Sequence, residues 1–259
     1  MELIDHYAYN NKLRAVDPVY KAGLALMVLA LCLLLNRPAV GLLAVCWMGL
    51  LSTAVAGLPI RVFGGVLFAE GSFLLLAVAG LAVSVGVGSA DGVAGVGWTV
   101  QLGPLWLASS PASISTALRA GTRALGGAAA MNFLALTTPL VDLIELMRRL
   151  RVPAILIDIM TLMYRNIFVL LESLERMHTA QDTRLGYVNF RRGMASAGVL
   201  ASRLFIDAYQ RGQRLQTALS SRGFTSDLKV LPINYDSDWR IIVLGAAVAA
   251  SLTSVWVLL

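Results

Sequence analysis

The amino-acid sequence predicts an all-α integral membrane protein with about five transmembrane helices and a charged helical domain inserted before the last of them. The 259-residue chain is 58% hydrophobic and only 14% charged, whereas soluble domains contain about 45–50% apolar and about 25% charged residues. The charges are also segregated, because residues 22–139 contain six and residues 140–240 contain twenty-four. One part of the chain therefore suits lipid and another suits water.

Five segments are apolar enough for transmembrane helices, each of which needs about 20 residues. The predicted spans are residues 19–35, 38–58, 62–88, 118–138 and 241–259. Lys21 lies near one end of the first span, so we expect its ammonium group to reach the interface. Glu70 lies within the third span, where an acid is a functional candidate, and contact with water or a basic residue near the cytoplasmic end of the span is the alternative. Arg119 and Arg123 begin the fourth span on one helix face, and we expect them to extend to the interface, with a role at a pore or partner as the alternative.

The distribution of lysine and arginine among the loops predicts the orientation of these spans. Residues 87–113 contain no lysine or arginine, so the positive-inside rule places them outside the cell, and the glycine-rich stretch VGVGSADGVAGVGW reads as a flexible loop. We therefore expect a multi-pass protein of the cell's inner (plasma) membrane, with a cytoplasmic N-terminus and an external C-terminus. The predicted domains are a membrane part, 1–139, a cytoplasmic domain, 140–240, and a last transmembrane helix, 241–259.

The cytoplasmic domain begins with two amphipathic patterns. Residues 140–152 carry acids in their first turns and arginines at their end, which suits a helix dipole, and Pro153 marks the stop. Residues 153–171 are apolar enough to span but carry Asp158 and Arg165 on one helix face. We predict a long amphipathic helix at the membrane surface, and a sixth span is the alternative.

Two short stretches of this domain resemble each other. The first runs from Ala180 through Arg184 to Gly186 and Tyr187, and the second reads ALSSRGF from Ala218. In each, an arginine follows an alanine by four residues and is followed by a glycine and an aromatic residue. This pattern is typical of a helix that carries an arginine in its last turn and ends at a left-handed glycine. Such an arginine can hold a partner's carboxylate with two hydrogen bonds.

Other kinds of site find little support in the sequence. We predict no catalytic residue, no cofactor and no metal site, because there is no phosphate-binding GxxxxGK[ST] loop and the two cysteines have no metal-binding spacing. His6 and His178, the two histidines, are interpreted as structural. The arginines form no dense stripe with interleaved aromatic residues, so we expect no nucleic-acid partner.

The chain resembles the transmembrane T component of energy-coupling factor (ECF) transporters, in particular the cobalt-type CbiQ family. The resemblance covers nearly the whole chain. It rests on the start IDHYAYNNKLRAVDPVYK, on the central TTPLVDLIELMRRLRVP with the helix that carries Tyr164 and Arg165, and on the two arginine stretches.

The resemblance implies a non-catalytic transport subunit in the lipid bilayer. In that family two Ala-Arg-Gly motifs end coupling helices, which bind grooves on two copies of a cytoplasmic ABC ATPase and so connect them to a membrane substrate-binding (S) component. Carried over by position, the ATPase-coupling residues are Thr183, Arg184, Leu185, Ser221, Arg222 and Gly223. The first motif departs from the family pattern, since threonine precedes its arginine and leucine follows it. The resemblance implies cobalt as cargo, with nickel or vitamins as alternatives.

Two other classes of function compete with this reading. One is an integral-membrane enzyme acting on a lipid-linked substrate, with Arg119, Arg123 and the acids of residues 140–158 as its site. The other is a self-sufficient channel or carrier, for which inverted repeats are expected. Five unequal spans with a large domain on one side do not favour such symmetry.

Overall fold

The chain divides into two compact units in a computed structural model. Unit 1 comprises Met1–Pro139 and Asn234–Leu259, and unit 2 comprises Leu140–Ile233. The structure describes residues 7–87, 98–102, 105–223, 235 and 239–258. His6, Asp91 and Phe224, which enter the sequence predictions, lie outside these ranges.

Among its described residues, unit 1 contains five long helices. They are α1 (Pro18–Leu34), α2 (Pro38–Leu50), α3 (Ile60–Ala82), α4 (Pro111–Thr137) and α8 (Trp239–Leu258), with a π-helical turn, Leu51–Val55, continuing α2. Three of them begin with proline, whose fixed φ suits the first helical position and whose missing N–H costs nothing there. The side chains of Asp17 and Ser110 accept hydrogen bonds from the first turns of α1 and α4.

Helix α4 is the centre of unit 1 and packs against α1, α2 and α3. Its buried face is rich in glycine and alanine, which lets backbones approach closely, as they do between membrane helices. A Cβ atom added to Gly41 of α2 would lie 2.2 Å from the carbonyl oxygen of Thr122 in α4. Gly41 is therefore required by the contact between the two helices.

Lys21 does not reach an interface, and that prediction is wrong. Its side chain is fully buried, and Nζ donates hydrogen bonds to the carbonyl oxygens of Leu13 (3.1 Å) and Thr137 (3.3 Å). Nδ2 of Asn11 donates to the same Thr137 oxygen at 3.1 Å. The last carbonyls of a helix have no partner within it, so the buried ammonium group supplies donors to the end of α4.

A small antiparallel sheet follows α3 and overlaps the stretch 85–98, for which the sequence predicts a flexible loop. Its strands are β1 (Ser84–Val87), β2 (Trp98–Leu102) and β3 (Leu105–Ser109), in the order β1-β3-β2. Val85 and Val100 both pair with Leu107. The flexible-loop prediction is wrong for residues 85–87 and 98, which lie in β1 and β2, because valine and tryptophan favour extended structure. Residues 88–97 lie outside the described residues.

In the part of unit 2 that the structure describes, residues 140–223, there are three helices, α5 (Leu140–Arg149), α6 (Ala154–Asp182) and α7 (Phe190–Ser221). Helix α5 is followed by a left-handed residue, Arg151, with φ of 63°. Pro153 occupies the cap position that begins α6, so it separates the two helices. The two long helices are mostly exposed, since α6 buries Ile157 and Ser173 and α7 buries no residue.

The described helices agree with a multi-pass membrane protein. Four are long and apolar enough to cross a membrane, or five if a bent pair of helices forms one span. The four are α2 with its π-helical turn, α3, α6 and α8; the pair is α4 with α5, and α1 is one of the shorter apolar helices. The prediction of an all-α integral membrane protein is confirmed, with the small sheet as a local addition. Length and composition do not distinguish a spanning α6 from one at the surface, so its surface position stays a prediction.

Candidate functional site: two arginine-bearing helix ends

The first arginine stretch forms the end of α6. After the last helical residue, the amide of Leu185 donates to the carbonyl of Asp182 (2.9 Å) and the amide of Gly186 donates to the carbonyl of Gln181 (2.9 Å). Leu185 itself is left-handed, with φ of 59°. This pair of hydrogen bonds around one left-handed residue is the Schellman motif, which satisfies the last carbonyls of a helix.

Gly186 was predicted to be the left-handed residue at this end, and that prediction is wrong. The hydrogen bonds require the left-handed conformation at the position directly after Arg184, which leucine occupies. Gly186 meets a different requirement. A Cβ atom there would lie 2.9 Å from the carbonyl oxygen of Gln181 and 2.9 Å from Oγ of Ser196, so no larger residue fits without a shift.

The second arginine stretch forms the end of α7. The amide of Arg222 donates to the carbonyl of Leu219 (3.1 Å), and the amide of Gly223 donates to the carbonyl of Ser220 (3.1 Å). Gly223 is left-handed, with φ of 68°. The prediction of a left-handed glycine is confirmed at this end, where glycine directly follows the arginine.

The two ends share their side-chain contacts as well. Oγ1 of Thr183 donates to the carbonyl of Ala180 at 3.1 Å, and Oγ of Ser221 donates to the carbonyl of Ala218 at 3.0 Å. In both stretches the hydroxyl residue stands directly before the arginine. The six residues carried over from the family are thus two equivalent triplets, and all six are exposed.

The two guanidinium groups are available to a partner. Within the described residues, the side chains of Arg184 and Arg222 make no hydrogen bond and no ion pair. A positive charge is favourable at the negative end of a helix dipole. Each end therefore presents a free, exposed cation that can bind a carboxylate with two parallel hydrogen bonds.

A cluster of polar contacts supports the first end, and the sequence reading missed it. Tyr187 donates its phenolic hydrogen to Oε1 of Gln181 (2.7 Å), Nε2 of Gln181 donates to the carbonyl of Ser196 (3.2 Å), and Oγ of Ser196 donates to the carbonyl of Gly186 (2.9 Å). The ring of His178 stacks on that of Tyr187 with centroids 4.7 Å apart. These contacts join the end of α6 to the first turns of α7. The aromatic residue after Gly186 was the one visible signal.

The candidate residues within the membrane part make local contacts. Nδ2 of Asn132 in α4 donates to Oε2 of Glu70 in α3 at 2.7 Å. Arg119 bonds to the carbonyl and hydroxyl of Ser115 on its own helix, and Arg123 is half-buried.

The alternative enzyme site combines these arginines with acids that belong to the other unit. In the described part of the chain, no group of three His, Cys, Asp or Glu residues could hold a metal ion.

Comparison with known proteins gives one consistent result. The family model described as CbiQ, cobalt transport protein, matches residues 10–231. The chain belongs to the CbiQ family. This confirms the resemblance inferred from the arginine stretches and the N-terminal segment, and the family is described as one of cobalt transport proteins.

Individual relatives of the CbiQ family extend this result. An uncharacterized protein of Methanocaldococcus jannaschii is 32% identical over 88% of this chain and 83% of its own length. The cobalt transport protein CbiQ of Rhodobacter capsulatus is 34% identical over 62% of this chain and 66% of its own. A putative fused cobalt transport protein CbiMQ of Methanocorpusculum labreanum is 32% identical over 47% of this chain and 20% of its own.

Proposed function

We propose that the protein is the energy-coupling membrane subunit of an ECF-type ABC importer for cobalt ion. In this proposal the ends of α6 and α7 bind two copies of a cytoplasmic ATPase. The observation that carries it is the pair of equivalent helix ends, on each of which an exposed arginine has no partner among the described residues.

The chemistry of the ends suits acidic grooves on identical partners. A guanidinium group presents a planar fork of donors that fits a carboxylate, and a hydrogen bond to a charged group contributes about 1.5–3 kcal/mol. The two ends share two backbone hydrogen bonds, donated by the amide of the arginine and by the amide of the residue after it, and so offer a similar geometry twice. Two copies of one ATPase, each with a carboxylate in its groove, can therefore both be bound.

A second surface of unit 2 suits a membrane partner, the substrate-binding component. One face of α7 carries Phe190, Met194, Phe205 and Tyr209, each at least 61% exposed. Their spacing places all four within about 100° around the helix, and an apolar face of this kind indicates an interaction surface. The relative from M. labreanum, whose name describes a fusion of CbiM and CbiQ, supports a partner that acts in cobalt transport.

The proposed topology follows from the charge distribution. Residues 140–240 lie in the cytoplasm between the membrane part, residues 1–139, and the last span, residues 241–259. The N-terminus is cytoplasmic, the C-terminus is external, and α6 lies at the membrane surface. In this arrangement ATP hydrolysis takes place in the partners, and movement of the ATPases shifts the helix ends and, through α7, the substrate-binding component.

Charge reversal at both ends tests the coupling role. In the variant Arg184→Glu/Arg222→Glu, each helix end would present an acid to an acidic groove. We expect ATPase binding to fall by at least about 100-fold, since two charged contacts are lost and repulsion replaces them. Co-purification of the ATPase with the membrane subunit, together with cobalt uptake by cells, measures the effect.

The matched control is Arg191→Glu/Arg192→Glu. These exposed arginines stand in the first turn of the same helix, α7, where acids are favourable to the helix dipole. The change in net charge is the same, so ATPase binding and uptake should persist. Normal assembly and uptake by the Arg184→Glu/Arg222→Glu variant would overturn the proposal.

The cargo is tested separately. Cells that express the complete transporter should accumulate cobalt, and excess nickel should not abolish this uptake. Accumulation of nickel or a vitamin without cobalt would contradict the cobalt assignment while leaving the coupling role intact.

A further inference from the structure

A polar bridge joins the two long helices of unit 2 at the point where they contact each other. Nη2 of Arg211 in α7 donates to Oγ of Ser173 in α6 at 3.2 Å, and Nη2 of Arg176 donates to the same oxygen at 3.3 Å. Ser173 is only 3% exposed. A buried hydroxyl needs hydrogen-bond partners, and here one of them comes from the other helix.

Asp207 fixes the arginine of this bridge. Its Oδ2 atom accepts a hydrogen bond from Nε of Arg211 at 3.0 Å. The hydrogen bond and charge of Arg211, helped by Ser173 and by the charge of Arg214, hold the pKa of Asp207 below its usual range. The carboxylate therefore stays ionised at neutral pH and orients the guanidinium group, which leaves Nη2 directed at Ser173.

A groove that is open to the surface lies beside this bridge. Its volume is about 410 Å³, and it is lined by Ser173 and Met177 from α6 and by Arg203 and Ile206 from α7. Interdigitated apolar side chains usually fix the crossing of two helices, but α7 buries no residue along its length. Directional hydrogen bonds therefore define the relative position of the helices at this point.

The bridge stands at the same sequence distance from both arginine-bearing ends. Arg184 follows Ser173 by eleven residues, and Arg222 follows Arg211 by eleven residues. At 1.5 Å per residue, each end lies about 16 Å along its helix from the bridge. A small change of angle at the bridge therefore moves both ends by similar amounts.

We propose that Ser173, Arg211 and Asp207 are positioning residues, which hold α6 and α7 at one crossing and so fix the separation of Arg184 and Arg222. The importance of that separation for transport rests on the proposed coupling function. The separation itself is a property of the chain alone, which makes the two claims separately testable.

The separation can be measured by pulsed electron paramagnetic resonance on the purified full chain in lipid nanodiscs, without ATPases. Spin labels at Asp182→Cys and Ser220→Cys report the two ends, in a background carrying Cys32→Ala and Cys46→Ala. We expect one narrow distance distribution, and at least a doubling of its width in Arg211→Ala. Ser173→Ala, which removes a single oxygen atom, should broaden it in the same way.

Two further variants make the result specific. Ser173→Ala combined with Arg211→Ala should be no broader than Arg211→Ala alone, because both changes remove the same hydrogen bond. Arg192→Ala is the matched control, since Arg192 is an exposed arginine in the first turn of the same helix, α7, and its distribution should equal that of the unsubstituted chain.

An unchanged width in both Arg211→Ala and Ser173→Ala, with helical content intact by circular dichroism, would overturn the proposal. Equal broadening by Arg192→Ala would also overturn it, because the loss of any arginine from α7 would then have the same effect. Failure of the charge-reversal test, by contrast, would remove the coupling role and leave these distances as they are.

Discussion

The two arginine-bearing ends share two backbone hydrogen bonds and a left-handed residue, but different residues occupy the left-handed position. Leucine occupies it after Arg184 and glycine occupies it after Arg222, with φ of 59° and 68°. A left-handed residue other than glycine costs about 1–2 kcal/mol. The end of α6 offsets this cost with the Schellman hydrogen bonds and the polar cluster around Gly186. The comparison teaches that hydrogen bonding, and not the residue type, selects the left-handed position.

The ends also differ in the charges that precede them. Glu172, Glu175 and Asp182 stand in the last turns of α6, whereas Arg211 and Arg214 are the charged residues between Asp207 and Arg222 in α7. The end of α7 is therefore a cationic surface, and the end of α6 is mixed in charge. We expect their binding to a common partner to depend differently on salt.

The largest expected effect concerns Gly186, which distinguishes the end of α6 from the end of α7. Gly186→Ala would place a Cβ atom 2.9 Å from a backbone oxygen, and overpacking of this kind costs about 1–3 kcal/mol. Chemical unfolding of the purified chain in detergent measures the loss. Gly193→Ala is the control, since its Cβ would meet the Tyr187 ring at an ordinary 3.7 Å. Equal stability of the two variants would contradict the role given to Gly186.

The next effect separates the ends by charge. In Arg184→Ala the ATPase can bind only through the arginine at the cationic end of α7. In Arg222→Ala it can bind only through the arginine at the end of α6, which is mixed in charge. Salt screens exposed charges over about 10 Å at 0.1 M, so raising salt tenfold should weaken ATPase binding by about tenfold in Arg184→Ala and by less in Arg222→Ala. Titration of binding against salt concentration provides the test, and equal slopes would show that the preceding charges do not matter.

Exchanging the left-handed residues should give effects of opposite sign. Leu185→Gly should raise the local stability of its helix end by up to about 1 kcal/mol, because glycine adopts positive φ without strain and Leu185 is 66% exposed. Gly223→Ala should lower the stability of the other end by about the same amount. Amide hydrogen exchange at the two ends measures both changes. A shift of the same sign in the two variants would contradict the comparison.

The smallest expected effect concerns the two hydroxyl groups. Thr183→Ala and Ser221→Ala each remove a hydrogen bond to a carbonyl three residues earlier. Hydrogen bonds of this kind contribute little to stability in exposed helices. The free energy of unfolding of both variants should therefore stay within about 0.5 kcal/mol of that of the unsubstituted chain. A large loss at one end alone, measured by the same unfolding experiment, would break the equivalence of the triplets.

Local patterns in the sequence are sufficient to predict several elements of the fold. Apolar runs predicted the membrane helices, and the glycine after Arg222 predicted the left-handed end of α7, because periodicity and end signals act within one helix. The same rule failed at Gly186. The requirement there comes from Ser196 in the next helix, and a local pattern carries no information about that contact.

Long-range contacts explain the other failures. Lys21 is buried because it serves the carbonyl of Thr137, 116 residues away. The Arg211–Ser173 hydrogen bond joins residues 38 positions apart on two helices. The strands β1 and β3 pair across residues 88–104, where glycine-rich composition favoured a loop reading. In each case a contact with a residue far away in the sequence, and not the residue type itself, determines the local structure.

Site-specific photo-cross-linking in the assembled transporter tests the coupling claim most directly. A photoreactive phenylalanine derivative replaces Leu185 in one variant and Ser221 in another, next to each arginine, and Phe205 on the apolar face of α7 in a third. We predict that the first two variants cross-link to the ATPase and that the third does not. Absence of ATPase cross-links at both helix ends, with a cross-link from position 205, would contradict the account.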